Sequence, residues 1–430
     1  MNVYDSLQIE KVLNKNFKSR KTENIGEADM LILNTCSIRE KAQEKVFHEL
    51  GRWKKLKNKN PGLIIAVGGC VASQEGNSII NRANFVDVVF GPQTIQRLPK
   101  LIEKTLEKKK HQVDISFSSI EKFDTLAKMH ETNVQTTKAF VSIMEGCDKY
   151  CSYCIVPYTR GPEINRPFDD IITECALLSE KGVNEITLLG QNVNHYKGRT
   201  SCGGSADLAL LIHFISEIDK IKRIRFITSH PVEFSDALID TYRTVPKLAN
   251  HLHLPIQHGS DKILKKMKRN HTVDEFKEKI YKLRKIRPDI SISSDFIIGF
   301  PGETADDFEA LMKIIKDINF DHSFSFIYSK RPGTPASLLK DEVEDKVKKV
   351  RLEKVQNQLK HNTISISRRM VGSIQNVLVE SGDNMKLIGR TENNRTVHFS
   401  GEKKLIGNFT NVKITHSSGN ILSGIVIQNI

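Results

Sequence analysis

The sequence predicts an α/β protein in three parts: an N-terminal α/β domain, a partial (βα)6 TIM-like barrel as the core, and a small C-terminal β-barrel. Three observations carry this prediction. Buried-strand runs alternate with helical spacing over the first hundred residues. A strand–loop–helix unit recurs six times between Ala139 and Ser329. The last sixty-odd residues change to short strands separated by glycine turns.

In the first part, Asp29–Asn34 reads as a buried strand and Ser37–Lys59 as the helix after it. Pro61-Gly62 breaks that helix, and Leu63–Val67 and Val86–Phe90 supply two more strands. Cys36 and Cys70 each stand directly after a strand, in loops where α/β units place functional residues. The polar stretch from Lys108 to about Lys138 lacks a clear period and reads as a linker. Its Lys108-Lys-Lys110 is either an RNA contact or a solvated turn. Domain limits follow as 1–107, a linker over 108–132, a core over 133–365 and a tail over 367–430.

In the core, the expected strands are Ala139–Ile143, Glu185–Leu189, Arg223–Ile227, His251–Leu254, Ser291–Ile298 and His322–Tyr328. The helices between them are Asp169–Lys181, Leu208–Ile218, Ser235–Thr244, Asp261–Ile286 and Thr304–Asn319. Successive βα units give a parallel sheet with right-handed crossovers, and six of them leave the barrel open. Asp341–Lys360 is a charged helix. Gly372–Glu380, Met385–Arg390, Arg395–Phe399, Phe409–Thr415 and Leu422–Gln428 are the five short strands of an OB-like barrel. From Arg368 onward there are eight Lys and Arg against four Asp and Glu. An RNA-binding appendage is the favoured reading of this tail, with an interdomain brace as the alternative.

The whole chain is basic, 65 Lys and Arg against 51 Asp and Glu in 430 residues, a formal charge of +14 that points to a polyanionic partner. The longest mainly apolar runs, such as Leu63–Ala72, fall short of the roughly 18–20 residues of a membrane span, and the N-terminus shows no signal-peptide pattern. Seven cysteines in so long a chain do not make a disulfide scaffold. A cytoplasmic, reduced, monomeric protein is expected, with no membrane partner.

The strongest chemical signal is Cys147-Asp-Lys-Tyr-Cys151-Ser-Tyr-Cys154, a C-x3-C-x2-C run after the first strand of the repeat. Three soft thiolates on one short loop suit an iron–sulfur cluster, and zinc would want a fourth Cys or His close by. Three ligands to a four-iron cluster leave one iron open. The other strand-end loops face the same way: Gly190–Asn194, Ser229–Pro231, Pro255–Gly259, Gly299–Thr304 and Tyr328–Thr334. That is the end where barrel active sites are built.

On these residues the chain resembles the radical S-adenosylmethionine (AdoMet) enzymes. The resemblance narrows with Cys151–Gly161, Leu188–Asn194, Leu254–Ser260 and Gly389–Arg395, which are similar to the methylthiotransferases of the MiaB type and their TRAM tail. Asn34–Glu40 and Gly68–Ala72 resemble that family's N-terminal domain. The resemblance covers essentially the whole chain. It implies that Cys147, Cys151 and Cys154 hold a 4Fe-4S cluster that binds AdoMet, and that Gln191, Ser294, Asp295 and the Gly299–Glu303 loop help hold that cofactor. It implies that Cys36 and Cys70 are two of three ligands to a second, auxiliary 4Fe-4S cluster carrying the sulfur to be inserted. The implied product is a 2-methylthio group on an isopentenylated adenine in a tRNA anticodon loop. An electron donor and a sulfur or cluster supply system are implied partners. A ribosomal-protein side chain, or another adenosine derivative of tRNA, is the alternative target.

One departure stands out. The family's third auxiliary ligand is a Cys in a Gly-Cys-Gln-Met-Asn stretch, and it would stand two residues before Met1. The given start is therefore expected to be internal to the reading frame. Cys175 reads as a core residue on a helix and Cys202 as part of a Ser/Gly loop. Read alone, Cys36 and Cys70 would also pass for small core residues. His251 and His253 alternate on one strand and read as packed or solvent-facing. His230 and His258 lie on active-face loops. Tyr150, Tyr153 and Tyr158 surround the cysteine loop, either to stack on a base or to shield a metal. The Lys262–Arg269 run reads as a solvated helix face.

Overall fold

The computed structural model describes residues 1–36, 42–117, 137–383 and 385–427. It begins with α1 (Asn2–Phe17), which the sequence reading did not anticipate. Tyr4, Ile9, Val12 and Leu13 are spaced to bury one stripe of that helix. Then come β1 (Met30–Thr35), α2 (Ala42–Lys59), β2 (Ile64–Gly69), α3 (Cys70–Glu75), α4 (Asn77–Arg82), β3 (Val88–Phe90), α5 (Leu98–Lys108) and β4 (Gln112–Asp114). The four strands form one parallel sheet in the order β1-β2-β3-β4. The segment read as a linker thus begins as structure, with β4 paired to β3. The remainder, from 118, lies outside the described residues, as does the start of the helix expected from Ser37.

The core wall consists of β5 (Lys138–Ser142), β8 (Glu185–Leu189), β11 (Arg223–Phe226), β12 (His251–His253), β13 (Ser291–Ser293), β14 (Asp295–Ile298) and β15 (Phe324–Ile327). Two hairpins, β6 (Met144–Glu145) with β7 (Ile164–Asn165) and β9 (Lys197–Arg199) with β10 (Ser205–Asp207), sit in its loops. Parallel pairing runs β5-β8-β11, β12-β13 and β14-β15, and the bridges Ile224–Leu248 and Gln257–Phe296 join these into one wall. No pairing links β5 to β15 among the described residues, so the barrel is open there. The helices α6 (Val156–Arg160), α7 (Phe168–Glu180), α8 (Leu208–Ser216), α9 (Asp236–Thr244), α10 (Asp261–Lys266), α11 (Val273–Ile286) and α12 (Ala305–Ile318) belong to this core. The main apolar cluster lies between the wall and its covering helices, with Val141, Ile186, Leu188, Ile224, Phe296 and Leu311 at its centre.

Two expected elements are broken. The fifth strand divides into β13 and β14 at Ser294, whose buried hydroxyl accepts from Ile256 N–H at 2.9 Å and donates to Leu254 C=O at 3.1 Å. The Ser294 backbone N–H donates to Ser323 Oγ at 3.0 Å and not to a strand carbonyl, which interrupts the ladder at this residue. The helix expected over Asp261–Ile286 stops after Lys266 and restarts at Val273, because Lys268 and Asn270 adopt left-handed φ values of 57° and 55°.

A 25-residue helix, α13 (Asp345–Arg369), runs on beyond the expected Lys360 and leads into the tail. There β16 (Ile374–Gly382), β17 (Leu387–Arg390), β18 (Thr396–Ser400), β19 (Phe409–Ser418) and β20 (Ile421–Val426) close a barrel in the order β16-β17-β18-β20-β19 around Val377, Val397, Val412 and Leu422. This barrel docks at the N-terminal ends of the core strands, away from the active-face loops. Arg223 donates to Asn376 C=O at 2.8 Å, and Arg225 to Thr391 C=O at 2.8 Å and Glu392 C=O at 2.6 Å. On the two sides of the opening, Lys138 pairs with Glu380 at 2.9 Å and the buried Arg395 with Asp321 at 2.7 Å. The tail therefore braces the open barrel, whatever else it binds. No helix among the described residues is long and apolar enough to cross a membrane.

Candidate functional site

The β6–β7 pairing pins both ends of the loop that carries Cys147, Cys151 and Cys154. Gly146 opens this loop at φ 76°, where a Cβ would collide with the Gly161 and Pro162 carbonyls, and its N–H donates to Gln191 Oε1 at 2.6 Å. The loop is held from below by Cys147 N–H to Gly161 C=O at 3.3 Å, and by Ser152, whose N–H and hydroxyl donate to Met267 C=O and Lys266 C=O at 3.0 and 2.8 Å.

Cys151 is buried, and Cys147 and Cys154 are partly exposed. Burial pushes the Cys147 thiol up to about 11 and Cys154 up to about 12; the neighbouring thiols add to this, while the backbone N–H groups of Lys149 and Val156 work against it. The three sulfurs are thus close enough to act on one another, and ligation must displace their protons. Among the described residues no three such side chains converge tightly enough for a single metal ion. A cubane cluster takes each thiolate on a different iron and needs a wider set.

The helix break after α10 has a consequence here. It turns Arg269 inward, 4 % exposed, with Nη1 3.5 Å from Cys151 Sγ and Nη2 donating to Pro255 C=O at 2.5 Å. The expectation of a solvated face over Lys262–Arg269 fails at this residue, the one cation that the broken helix delivers to the cysteine loop.

Above the strand ends lies a set of buried polar atoms that have no hydrogen-bond partner among the described residues: Gln191 Nε2, both amide atoms of Asn192, Ser229 Oγ, His230 Nε2 and Tyr328 OH. Reciprocal bonds between Asn194 and the His230 backbone, both 2.8 Å, hold two of these loops together. Burial, then Arg269, keeps His230 neutral. Its Nδ1 accepts from Val232 N–H at 3.3 Å, so the proton sits on Nε2 and that unpaired atom is a donor. Buried polar groups are rarely left unmatched, and a ring of them marks where a polar ligand is received.

The other sequence candidates are placed differently. The Glu303 carboxylate accepts from Gly299 N–H at 2.8 Å, His258 Nε2 at 3.2 Å and Arg351 at 2.6 Å. With Ser294 stapling two strands, both side chains spend their polar atoms on the protein and shape the loop. Asp295 stands 3.5 Å from His253 Nε2, and His251 and His253 share Ser293 Oγ at 3.1 and 2.9 Å. Thr304 and Asp307 form a capping box that fixes where α12 starts, a contact of about 1 kcal/mol. Cys175 is wholly buried in the core and Cys202 is exposed.

Burial, followed by Arg225, lowers His251 to about 3, and burial, followed by Arg269, lowers His271 to about 4. Unfolded histidines titrate near 6.5, so between these limits the unfolded chain binds more protons and stability falls as pH drops. The urea midpoint is expected to decline from pH 7.5 to 5.5, and less steeply in His271→Gln. Equal slopes would show that His271 does not contribute.

Cys36 and Cys70 each follow directly on one of two neighbouring parallel strands of the N-terminal sheet, whose register pairs Thr35 with Gly69. Gly69, at φ 94°, permits a turn in which a Cβ would strike the Thr35 backbone. Thr35 Oγ1 accepts from Val71 N–H at 3.1 Å at the start of α3. The amino group of Met1 and the Cys36 thiol are near enough to interact.

Arg160, at the end of α6, links the cysteine loop to the Cys70 region; the sequence shows it only as part of the Cys151–Gly161 stretch, with no role of its own. It is 5 % exposed, 2.6 Å from Asp5 on α1 and 3.2 Å from Glu145 beside the cysteine loop. Burial disfavours its charge, but Asp5, then Cys70 and Glu145, more than offset this and raise its pKa. Gln93 donates to its carbonyl at 2.9 Å.

Residues 141–315 match the model of the radical SAM superfamily, residues 1–91 that described as uncharacterized protein family UPF0004, and residues 368–427 the TRAM domain. The chain is 64% identical over 430 residues to a tRNA-2-methylthio-N(6)-dimethylallyladenosine synthase of Francisella tularensis subsp. holarctica (strain FTNF002-00 / FTA), spanning 99% of this chain and 97% of the relative. The protein of the same name from subsp. novicida (strain U112) matches with the same identity and coverage. Among solved structures, the radical S-adenosylmethionine methyltransferase TsrM from Kitasatospora setae is similar at a TM-score of 0.51. It is 12% identical over 88% of this chain and 71% of that one, a likeness of fold alone.

Proposed function

Since the chain belongs to the family of tRNA-2-methylthio-N(6)-dimethylallyladenosine synthases, we propose that Cys147, Cys151 and Cys154 hold its AdoMet-binding 4Fe-4S cluster and that Cys36 and Cys70 are ligands of a second one. The protein is a tRNA methylthiotransferase. It inserts sulfur at C2 of N6-isopentenyladenosine next to the anticodon and methylates it, using radical AdoMet chemistry. The observation that carries the site assignment is the pinned three-cysteine loop, with unpaired buried polar atoms on neighbouring strand-end loops. Three soft donors fit a cubane with one open iron, and those polar atoms fit the amino-acid and ribose groups of AdoMet.

A bound, reduced 4Fe-4S cluster with an open iron would supply the electron that cleaves AdoMet to a carbon radical. The chain's own residues orient and shield. Gln191 holds the Gly146 backbone and so sets the loop's entry. Asn192, Ser229 and the Nε2–H of His230 are ligand contacts, and Asp295 is one more. Gly299 and Glu303, bonded to each other at 2.8 Å, fix the shape of a strand-end loop that would help hold the cofactor. Arg269 sets its guanidinium 3.5 Å from the Cys151 sulfur and so helps fix that side chain. At the second site Cys36 and Cys70, at the ends of two paired parallel strands, would supply two of the thiolates, with Arg160 close enough to Cys70 to feel its charge. In this reading the site would use AdoMet both as radical source and as methyl donor. An electron donor and a source of replacement sulfur are required partners.

The test is a reaction with AdoMet labelled in its methyl group, the reconstituted protein, a reductant and tRNA that already carries the dimethylallyl group. Label should appear in a 2-methylthio nucleoside of that tRNA and not in tRNA lacking the dimethylallyl group. Label entering ribosomal protein instead would overturn the reading.

A further inference from the structure

Of the three tyrosines around the cysteine loop, the structure separates one from two. Tyr153 is half-buried and packs against the apolar cluster of Ile263, Met267, Phe300, Tyr328 and Ala336. Tyr150 and Tyr158 face outward, 49 % and 41 % exposed, and meet edge to face with ring centroids 6.2 Å apart at 85°. Tyr150 sits at φ 45°, a left-handed conformation that bulky residues seldom adopt. The chain therefore accepts backbone strain to hold a large aromatic ring in water. Strain of this kind collects at ligand-binding positions.

The placement of the pair identifies its partner. Tyr150 stands between Cys147 and Cys151, and Tyr158 lies on α6, two residues before Arg160, which bridges towards Cys70. Tyr150 thus belongs to the first cysteine loop, and Tyr158 to the helix whose last residue reaches towards the second group. An adenine that must reach both groups has to leave its stack, and that exposes a face of each base beside it. Single-stranded bases stripped of neighbours stack on aromatic side chains. The edge-to-face contact fixes the two planes and leaves ring face free for a third.

We propose that Tyr150 and Tyr158 form a stacking platform for the unpaired anticodon-loop base adjacent to the target adenosine, holding the loop open while the target is extruded. This rests on the tRNA reading above and adds the surface that grips the loop.

The test uses a synthetic anticodon stem-loop carrying N6-dimethylallyladenosine, with fluorescent 2-aminopurine placed in turn on its 5′ and 3′ sides. On the reconstituted full chain, one of the two positions should be quenched as the RNA binds. Tyr150→Ala with Tyr158→Ala should abolish that quenching and weaken binding by about 10- to 100-fold. Tyr150→Leu with Tyr158→Leu, which keeps apolar bulk but no ring, should do the same, and the paired Phe substitutions should restore both signals. Iron content equal to the parent's establishes that the variants keep the site. Unchanged quenching and affinity in the Ala and Leu variants would overturn the platform alone. Failure of the parent chain to bind the stem-loop at all would overturn the tRNA reading beneath it.

Discussion

Cys151→Ala, reconstituted with iron and sulfide in the absence of oxygen, is expected to hold about four fewer irons than the parent chain and to release no 5′-deoxyadenosine from AdoMet. The reason lies in how the loop is built. Cys151 is the buried member of its trio, tied through Ser152 to the end of α10 and facing Arg269. With two thiolates left, the loop itself offers no replacement, because no Cys or His follows Cys154 at a usable spacing. Cys70→Ser should give the complementary loss, namely AdoMet cleavage retained and methylthio product absent. The two sites sit on separate sheets, β1–β2 and the core wall, so one can be emptied while the other keeps its scaffold. Full iron loading with continued cleavage in Cys151→Ala would remove that trio from its assigned role. Normal methylthio product from Cys70→Ser would do the same for the auxiliary assignment.

The features legible in the sequence were those written in short spacing. C-x3-C-x2-C announces itself within eight residues, the six βα units follow from apolar runs and their flanking loops, and five glycine-punctuated strands give the tail barrel. What escaped depends on residues far apart in the chain. Arg160 and Asp5 are 155 positions apart, and nothing local to either indicates a buried ion pair. Arg269 lies in a Lys-rich run whose helical periodicity is continuous, so only the left-handed Lys268 and Asn270 reveal that it turns inward. Ser294 sits within Ser291–Ile298, which reads as one strand until Ser323 takes its N–H and Ile256 and Leu254 its hydroxyl. A signal was available in β11, where Arg223 and Arg225 alternate with Ile224 and Phe226. Two arginines on one strand of a barrel must find acceptors, and they find the tail's carbonyls.

Arg160 carries the second large expected effect. Its guanidinium lies between a carboxylate from α1 and one from the strand that leads into Cys147, and all three groups are at most 6 % exposed. Arg160→Met keeps much of the side chain's bulk and removes only the cation. Asp5 and Glu145 are then left as neighbouring buried acids, a loss of about 3–5 kcal/mol by analogy with other broken buried pairs. Both carboxyls would have raised pKa values in the folded variant, so its deficit should be largest near neutral pH. The deficit should shrink as pH falls through those values, as protonation removes the repulsion. A parent-minus-variant difference in unfolding free energy that stays flat from pH 8 to pH 5 would contradict this account. The pair also fixes α1 and the Cys70 helix against the cysteine loop, so the methylthio step should suffer more than AdoMet cleavage in Arg160→Met. Arg160→Lys, which keeps the charge but cannot reach both acids with a planar fork, should recover most of the stability and only part of the transfer. If Lys restored both equally, Arg160 would be a buried counter-ion, with no part in setting the two cysteine sites against each other.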